Sequence, residues 1–318
     1  MPDLTQNMLI LDTDGGVDDA QALMLLIAHG RTPDAVTTVF GNVGLDAATD
    51  NILATLATAG ISVPVHKGAD RPLVQPVIDA TDIHGEDGLG GAPRPARIDA
   101  PASSDAVSFL RQTFRNAARH SQKVDILMIG PLTNLALALR LEPSIVYGIG
   151  QLTIMGATVY GRGNVTPAAE FNIYADPEAA EIVFSAEIRT VVIPWEPCLK
   201  HPLPGEDVDA IFANAPASQA RDFSRALADH IRKGTVARGG ADCLDLVDPL
   251  AAAVLIEPGI VTRSVSASIG VSLAPGIARG MTVIDPSGRL GTPKATIIEE
   301  VDAARLASLY AVSAAYPS

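Results

Sequence analysis

The chain has 318 residues, 47% of them hydrophobic, with 23 Lys plus Arg against 36 Asp plus Glu and a formal net charge of −13. That length and apolar content allow a sizeable buried core, while the longest apolar runs are too short and too interrupted to span a bilayer, so no membrane-spanning role is expected. No basic cluster could track phosphates, so nucleic acid is not an expected partner, and a neutral substrate suits the charge better than a polyanion.

In chain order, Met8, Leu9, Ile10 and Leu11 predict a short buried strand. The run Asp12-Thr13-Asp14-Gly15-Gly16-Val17-Asp18-Asp19 follows, and then Ala20, Leu23, Met24, Ile27 and Ala28 recur at helical spacing. Carboxylates are thereby gathered between a strand end and a helix start, the edge where open α/β sheets bind ligands. So many like charges are costly to pack unless a cation neutralises them, and carboxylate oxygens suit a hard one such as Ca²⁺ or Mg²⁺. The plainer alternative is that Asp18 caps the helix while the others face solvent.

Strands are predicted over 35–40 and 63–66, with a helix over 47–59 between them. Residues 68–103 are rich in Pro and Gly and include Ile83-His84-Gly85-Glu86-Asp87-Gly88-Leu89-Gly90-Gly91. Such a loop can approach a ligand closely or hinge as a lid. Ser104 is expected to cap a helix reaching His120, followed by a buried strand over 124–129, the turn Gly130-Pro131-Leu132-Thr133-Asn134 and a helix to Leu141.

A strand over 152–155 leads into a polar loop, 156–172, holding Asn164, Glu170 and Asn172, all suited to binding hydroxyl groups. A helix over 177–185 and a strand over 190–193 come next, with Trp195, the sole tryptophan, just beyond. An amphipathic helix over 218–232 and a loop over 234–246 precede Asp248-Pro249 at the start of an apolar helix. The last sixty or so residues predict strands over 265–273, 281–284 and 295–298 and a helix from Ala303. Alternating strands and helices predict an α/β fold, one domain over 1–318 with a mainly parallel, Rossmann-like central sheet flanked by helices. The N-terminus lacks the layout of a signal peptide, and the two cysteines, Cys198 and Cys243, lack metal-type spacing, which together predict a reduced, cytoplasmic setting.

Three known patterns begin like residues 12–19. An EF-hand loop counted from Asp12 would need an acidic fifth residue and a Glu at the twelfth, but Gly16 and Leu23 stand there. An apolar strand followed by Asp12-Thr13-Asp14-Gly15 resembles the first motif of haloacid-dehalogenase-type phosphatases, which implies Asp12 as nucleophile and Asp14 as acid. That reading leaves Asp18 and Asp19 idle, and no later Gly-Asp-x-x-x-Asp supplies its Mg²⁺ site. The third pattern, Asp-x-Asp-Pro-Gly-x-Asp-Asp, opens the calcium-dependent, inosine-uridine-type nucleoside hydrolases, and Gly15 here takes the place of its Pro.

The rest of the chain resembles that third family in several separate motifs, in order. They are Gly41-Asn42, Ile83-His84-Gly85, Gly130-Pro131-Leu132-Thr133-Asn134, Met155-Gly156, the stretch from Asn164 to Asn172, and Asp248-Pro249-Leu250. The resemblance implies Ca²⁺-dependent hydrolysis of the N-glycosidic bond of ribonucleosides, giving ribose and a free nucleobase. It implies Asp14, Asp19, Asp248 and the Thr133 carbonyl as calcium ligands, with Asp14 also the general base. It further implies Asp18, Asn164, Glu170 and Asn172 on the ribose hydroxyls, Met155 against the sugar, Asn42 at the reacting centre and His84 beside the base. A homodimer or homotetramer is the assembly it implies.

The chain departs from the family in three places. Gly15 is expected to allow the same bend as the Pro it replaces. Val247 stands just before Asp248, where many members carry a His that protonates the leaving base, so His84, or less directly His201, becomes a candidate acid. Pro194-Trp195-Glu196-Pro197-Cys198 replaces an Asp-Val-Thr-like segment, and Trp195 either stacks on a nucleobase or serves a core or subunit interface. A binding protein that has lost catalysis along with the His is the remaining alternative, beside the phosphatase.

Overall fold

Along the first strand, β1 (Met8–Thr13), every residue after Met8 is buried. Leu9 and Leu11 enter one apolar core while Ile10 enters the other, because successive side chains of a strand point to opposite faces. A strand covered on both faces needs no polar alternation, which is why 8–11 is an unbroken apolar run.

The computed structural model, which describes residues 6–96 and 98–316, builds a nine-stranded sheet around this strand. Residues 1–5, which carry most of the N-terminal leader reading, lie outside the described residues. The strands are β2 (Ala35–Thr38), β3 (Val65–Lys67), β4 (Val124–Met128), β5 (Ile149–Met155), β6 (Thr190–Ile193), β7 (Leu203–Pro204), β8 (Cys243–Leu244), β9 (Val261–Val271), β10 (Thr282–Asp285) and β11 (Lys294–Val301). The main sheet runs β10-β9-β11-β6-β5-β4-β1-β2-β3, while β7 and β8 pair separately. From β3 to β11 all neighbours are parallel, and β9 and β10 continue antiparallel.

Twelve α-helices accompany these strands among the described residues: α1 (Val17–Ala28), α2 (Leu45–Thr58), α3 (Thr81–His84), α4 (Ala106–Arg119), α5 (Thr133–Leu141), α6 (Phe171–Ala175), α7 (Pro177–Phe184), α8 (Trp195–Lys200), α9 (Gly205–Asn214), α10 (Gln219–Ala237), α11 (Val247–Ile256) and α12 (Ala303–Ala314). Helices α1, α11 and α12 cover the Leu9 face, and α4, α5 and α7 the Ile10 face. The chain leaves β1 toward β2 and β3 on one side and returns to place β4 on the other. The crevice between the carboxyl ends of β1 and β4 is thus a topological switch point, where such sheets bind ligands. No described helix is long and apolar enough to cross a membrane.

Local expectations shift in four places. Asp105, rather than Ser104, caps α4, its carboxylate accepting from the Ser108 backbone N–H at 2.9 Å. The amphipathic helix α10 runs on to Ala237, five residues beyond its predicted end, with the Ser218 hydroxyl capping its start. Two short helices, α8 and α9, occupy the stretch where Pro194, Pro197, Pro202 and Pro204 hide any helical period. Gly15 adopts φ +67°, a left-handed conformation closed to proline, so its turn is not the bend a Pro would make.

Candidate active site

The turn from β1 into α1 brings Asp14, Asp18 and Asp19 to the switch point. Gly16 has no side chain to cap α1, so Asp19 reaches back and accepts from the Gly16 N–H at 2.8 Å. Asp19 also accepts from the Asp14 N–H at 3.2 Å and from the Thr13 hydroxyl. The Val17 N–H, without a partner inside its helix, is taken by His84, which sits at the end of α3 and accepts through Nδ1 at 3.1 Å. With Nδ1 accepting, the neutral ring carries its hydrogen on Nε2. Burial drives the His84 pKa down to about 4, although the neighbouring Asp19 opposes the shift.

Asp14 is fully buried, and Asn42 holds both of its oxygens, the backbone N–H at 2.7 Å and the side-chain amide at 3.1 Å. The same amide donates to Asp19 at 2.9 Å. Gly41 lets Asp14 come this close, since a Cβ there would lie 1.9 Å from its Oδ2. Asp12 faces elsewhere, toward the Thr37 hydroxyl and the Asn134 amide. One of its oxygens is held there by both donors, so the nucleophile role implied by the phosphatase pattern has no geometry to support it.

Asp18, Asp19 and Asp248, the last in the first turn of α11, offer carboxylate oxygens that all lie within 4.8 Å of one another. Burial first, and mutual repulsion after it, raise the pKa of Asp14, Asp19 and Asp248, and burial raises Asp18 to about 6. One Asp18 oxygen is buried without any hydrogen-bond partner. An all-oxygen cluster with an orphaned acceptor fits a hard divalent cation. Of the expected ligands, Asp19 and Asp248 belong to this cluster. Asp14 adjoins it through Asn42, and Thr133, at the start of α5, donates its hydroxyl to Asp176 at 2.8 Å.

A cavity of about 480 Å³ opens above these carboxylates. Nine of the expected residues line it: Asp18, Asn42, His84, Met155, Asn164, Glu170, Asn172, Trp195 and Asp248. The Asn172 amide nitrogen donates to the carbonyls of Ile129 and Met155 at 3.1 and 3.2 Å, which turns its oxygen toward the cavity. Glu170 caps α6, accepting from Asn172, Ile173 and Ala157 N–H groups, while burial raises its pKa to about 7. Asn164 accepts from the Phe171 N–H at 2.8 Å, leaving its amide nitrogen for a ligand. Trp195 lines the cavity with Ile231 and Val247, and all three also pack against the larger core.

Sequence reasoning missed several cavity residues, among them Asp79, Asp82, Thr235, Arg238 and Asp245. No motif marks them; a carboxylate or an arginine in a loop or on a helix face is ordinary until the chain folds around it. It also missed the braces. Asn134 ties Asp12 to the Thr38 carbonyl and the Ala69 N–H, and Asn51 ties the Gly15 carbonyl to that of Asp87 in the glycine-rich 83–91 segment.

A mainly parallel sheet with a carboxylate-floored cavity at its switch point, walled by amide and carboxyl groups able to bind hydroxyls, is the kind of site that could hold a hard cation and a hydroxyl-bearing ligand. Comparison with known proteins makes this specific. The family described as inosine-uridine preferring nucleoside hydrolase matches residues 9–308, and the chain belongs to that family. It is 36% identical over 287 residues to the non-specific ribonucleoside hydrolase RihC of Klebsiella pneumoniae subsp. pneumoniae, covering 90% of each chain. It is 37% identical over 302 residues to the pyrimidine-specific ribonucleoside hydrolase RihA of Salmonella schwarzengrund, covering 92% of this chain and 94% of that one. The structure of a plant nucleoside hydrolase matches with a TM-score of 0.89 at 29% identity, covering 98% of this chain and 99% of that one. The chain therefore falls in the N-ribohydrolase class of enzymes, and the phosphatase reading does not survive.

Proposed function

We propose that this enzyme hydrolyses the N-glycosidic bond of neutral ribonucleosides with Ca²⁺ as its cation, releasing ribose and a free nucleobase. The observation that carries the reading is the single cavity in which Asp18 and Asp248 meet Asn42, Asn164, Glu170 and Asn172. Asp18, Asp19 and Asp248 would hold the cation, with Asp14 and the Thr133 carbonyl at its edge. Bound Ca²⁺ supplies positive charge that orients a water and the ribose diol and favours ionisation of that water.

The chain's own groups do the remaining work. Asp14, held by Asn42 through two donors, takes the proton from the attacking water. Asn164, Glu170 and Asn172 fix the ribose hydroxyls, and the surrounding carboxylates favour the positive charge that develops on the sugar as the bond to the base breaks. His84 presents a neutral ring against the start of α1 and keeps the Asp18 turn in place. The test is release of reducing sugar from a panel of purine, pyrimidine and modified nucleosides, before and after removal and return of Ca²⁺. No ribose from any of them overturns the reading.

A further inference from the structure

Departure of a nucleobase leaves negative charge on a ring nitrogen, and Val247 cannot donate a proton to it. Accepting the nucleoside hydrolysis proposed above, we propose that Asp245 is the acid that protonates the departing base. Asp245 lies between β8 and α11, two residues before Val247, and lines the cavity together with Trp195, Ile231 and Val247, all three of which pack against the larger core.

The other carboxyl groups of the cavity are engaged elsewhere or open to water. Asp18 and Asp248 belong to the cation cluster, and Glu170 accepts three backbone N–H bonds. Asp79 accepts from Thr81 and is exposed, as is Asp82. Asp245 is half-buried, and no hydrogen bond or ion pair reaches its carboxyl from the described residues.

Burial alone raises its pKa, so a protonated carboxyl is favoured there more than at a solvated aspartate. The charged and titratable groups around it are Cys198 of α8 and Cys243 of β8, whose thiols its negative charge helps push up, and Arg238 at the end of α10. Asp248 follows on its own segment, and His84, Asp79 and Asp82 line the same cavity from the 79–84 segment.

The step balances. As the bond from the anomeric carbon to the base nitrogen breaks, its electron pair stays with the base, and the Asp245 carboxyl hydrogen passes to the base. The water oxygen bonds to the anomeric carbon, and its proton goes to Asp14. Solvent then reprotonates Asp245 and deprotonates Asp14.

Asp245→Asn keeps the shape and removes the transferable proton. With inosine or uridine, whose bases need protonation, kcat should fall by ~10²-fold or more, the range of general-acid catalysis. With p-nitrophenyl riboside, whose leaving group needs no proton, the loss should be far smaller, so the ratio of the two kcat values rises ~10²-fold. Asp245→Ala should change that ratio in the same way, and the Tm of Asp245→Asn should not drop, because an unpartnered half-buried carboxyl has been removed. Equal losses on both substrates, or no loss on either, overturn Asp245 as the acid. A wild-type enzyme that releases ribose from neither substrate overturns the underlying hydrolase reading instead.

Discussion

Replacing Asp14 by Asn separates chemistry from folding. The carboxyl is fully buried and its pKa is pushed well up, by burial first and by Asp19 next, so a neutral amide relieves electrostatic strain at this position. The 2.7 Å bond from the Asn42 N–H survives, because an amide oxygen accepts it equally well. The 3.1 Å bond from the Asn42 amide is lost, for an NH₂ then faces an NH₂, but that donor keeps Asp19 at 2.9 Å. One lost hydrogen bond costs about 1 kcal/mol, offset by the relieved repulsion, so Tm should move by no more than about 2–4 °C. Activity should change on another scale. A general base contributes about 10²–10⁴ in rate, or about 2.7–5.5 kcal/mol of barrier, and a weakened cation site adds to the loss. The assay is reducing-sugar release from saturating inosine with Ca²⁺ present, paired with a thermal melt of the same preparation. Turnover within tenfold of wild type by a normally folded Asp14→Asn protein would refute the base assignment.

Ribonucleosides should be cleaved far faster than 2′-deoxynucleosides, by roughly 10⁴-fold, because the missing hydroxyl leaves buried polar groups unpaired; equal kcat/KM values for inosine and 2′-deoxyinosine would remove the ribose cage from Asp18, Asn164, Glu170 and Asn172. His84→Ala should lower activity on inosine and on p-nitrophenyl riboside in parallel, since the ring supports the Val17 N–H at the start of α1; a loss confined to inosine would restore His84 as the leaving-group acid. Chelator-treated protein should melt higher at pH 6 than at pH 8. Asp12 and Glu170 are raised to about 7 and Asp18 to about 6, and a raised carboxyl stabilises fully below its unfolded value and loses that contribution as pH rises through the folded one. His84, lowered to about 4, acts in the opposite sense as pH falls below 6.5, but it is one group against several. Returning Ca²⁺ should narrow the difference, and a chelated protein that is more stable at pH 8 would contradict the buried-carboxyl account.

The amino-acid sequence by itself determined the sheet-and-helix alternation, the central strand and the chemistry of the cavity floor. These are local properties: an unbroken apolar run with covered faces, a helical period after Gly16, and carboxylates with no nearby cation to balance them. Motifs far apart in the chain gave Asn42, Met155, the Asn164–Asn172 loop and Asp248, and the fold brings them to one cavity. Tertiary structure alone decided which oxygens converge. Asp18 joins Asp19 and Asp248, while Asp14 turns to Asn42, because the helix start and the close approach at Gly41 fix where each carboxylate points. It also placed His84 on the Val17 N–H and set Asp245 beside Val247 in the cavity wall, contacts that depend on how α3, α10 and the segment before α11 pack around α1. A sequence motif records which groups are present; their direction and burial, and hence their protonation, come from the elements that enclose them.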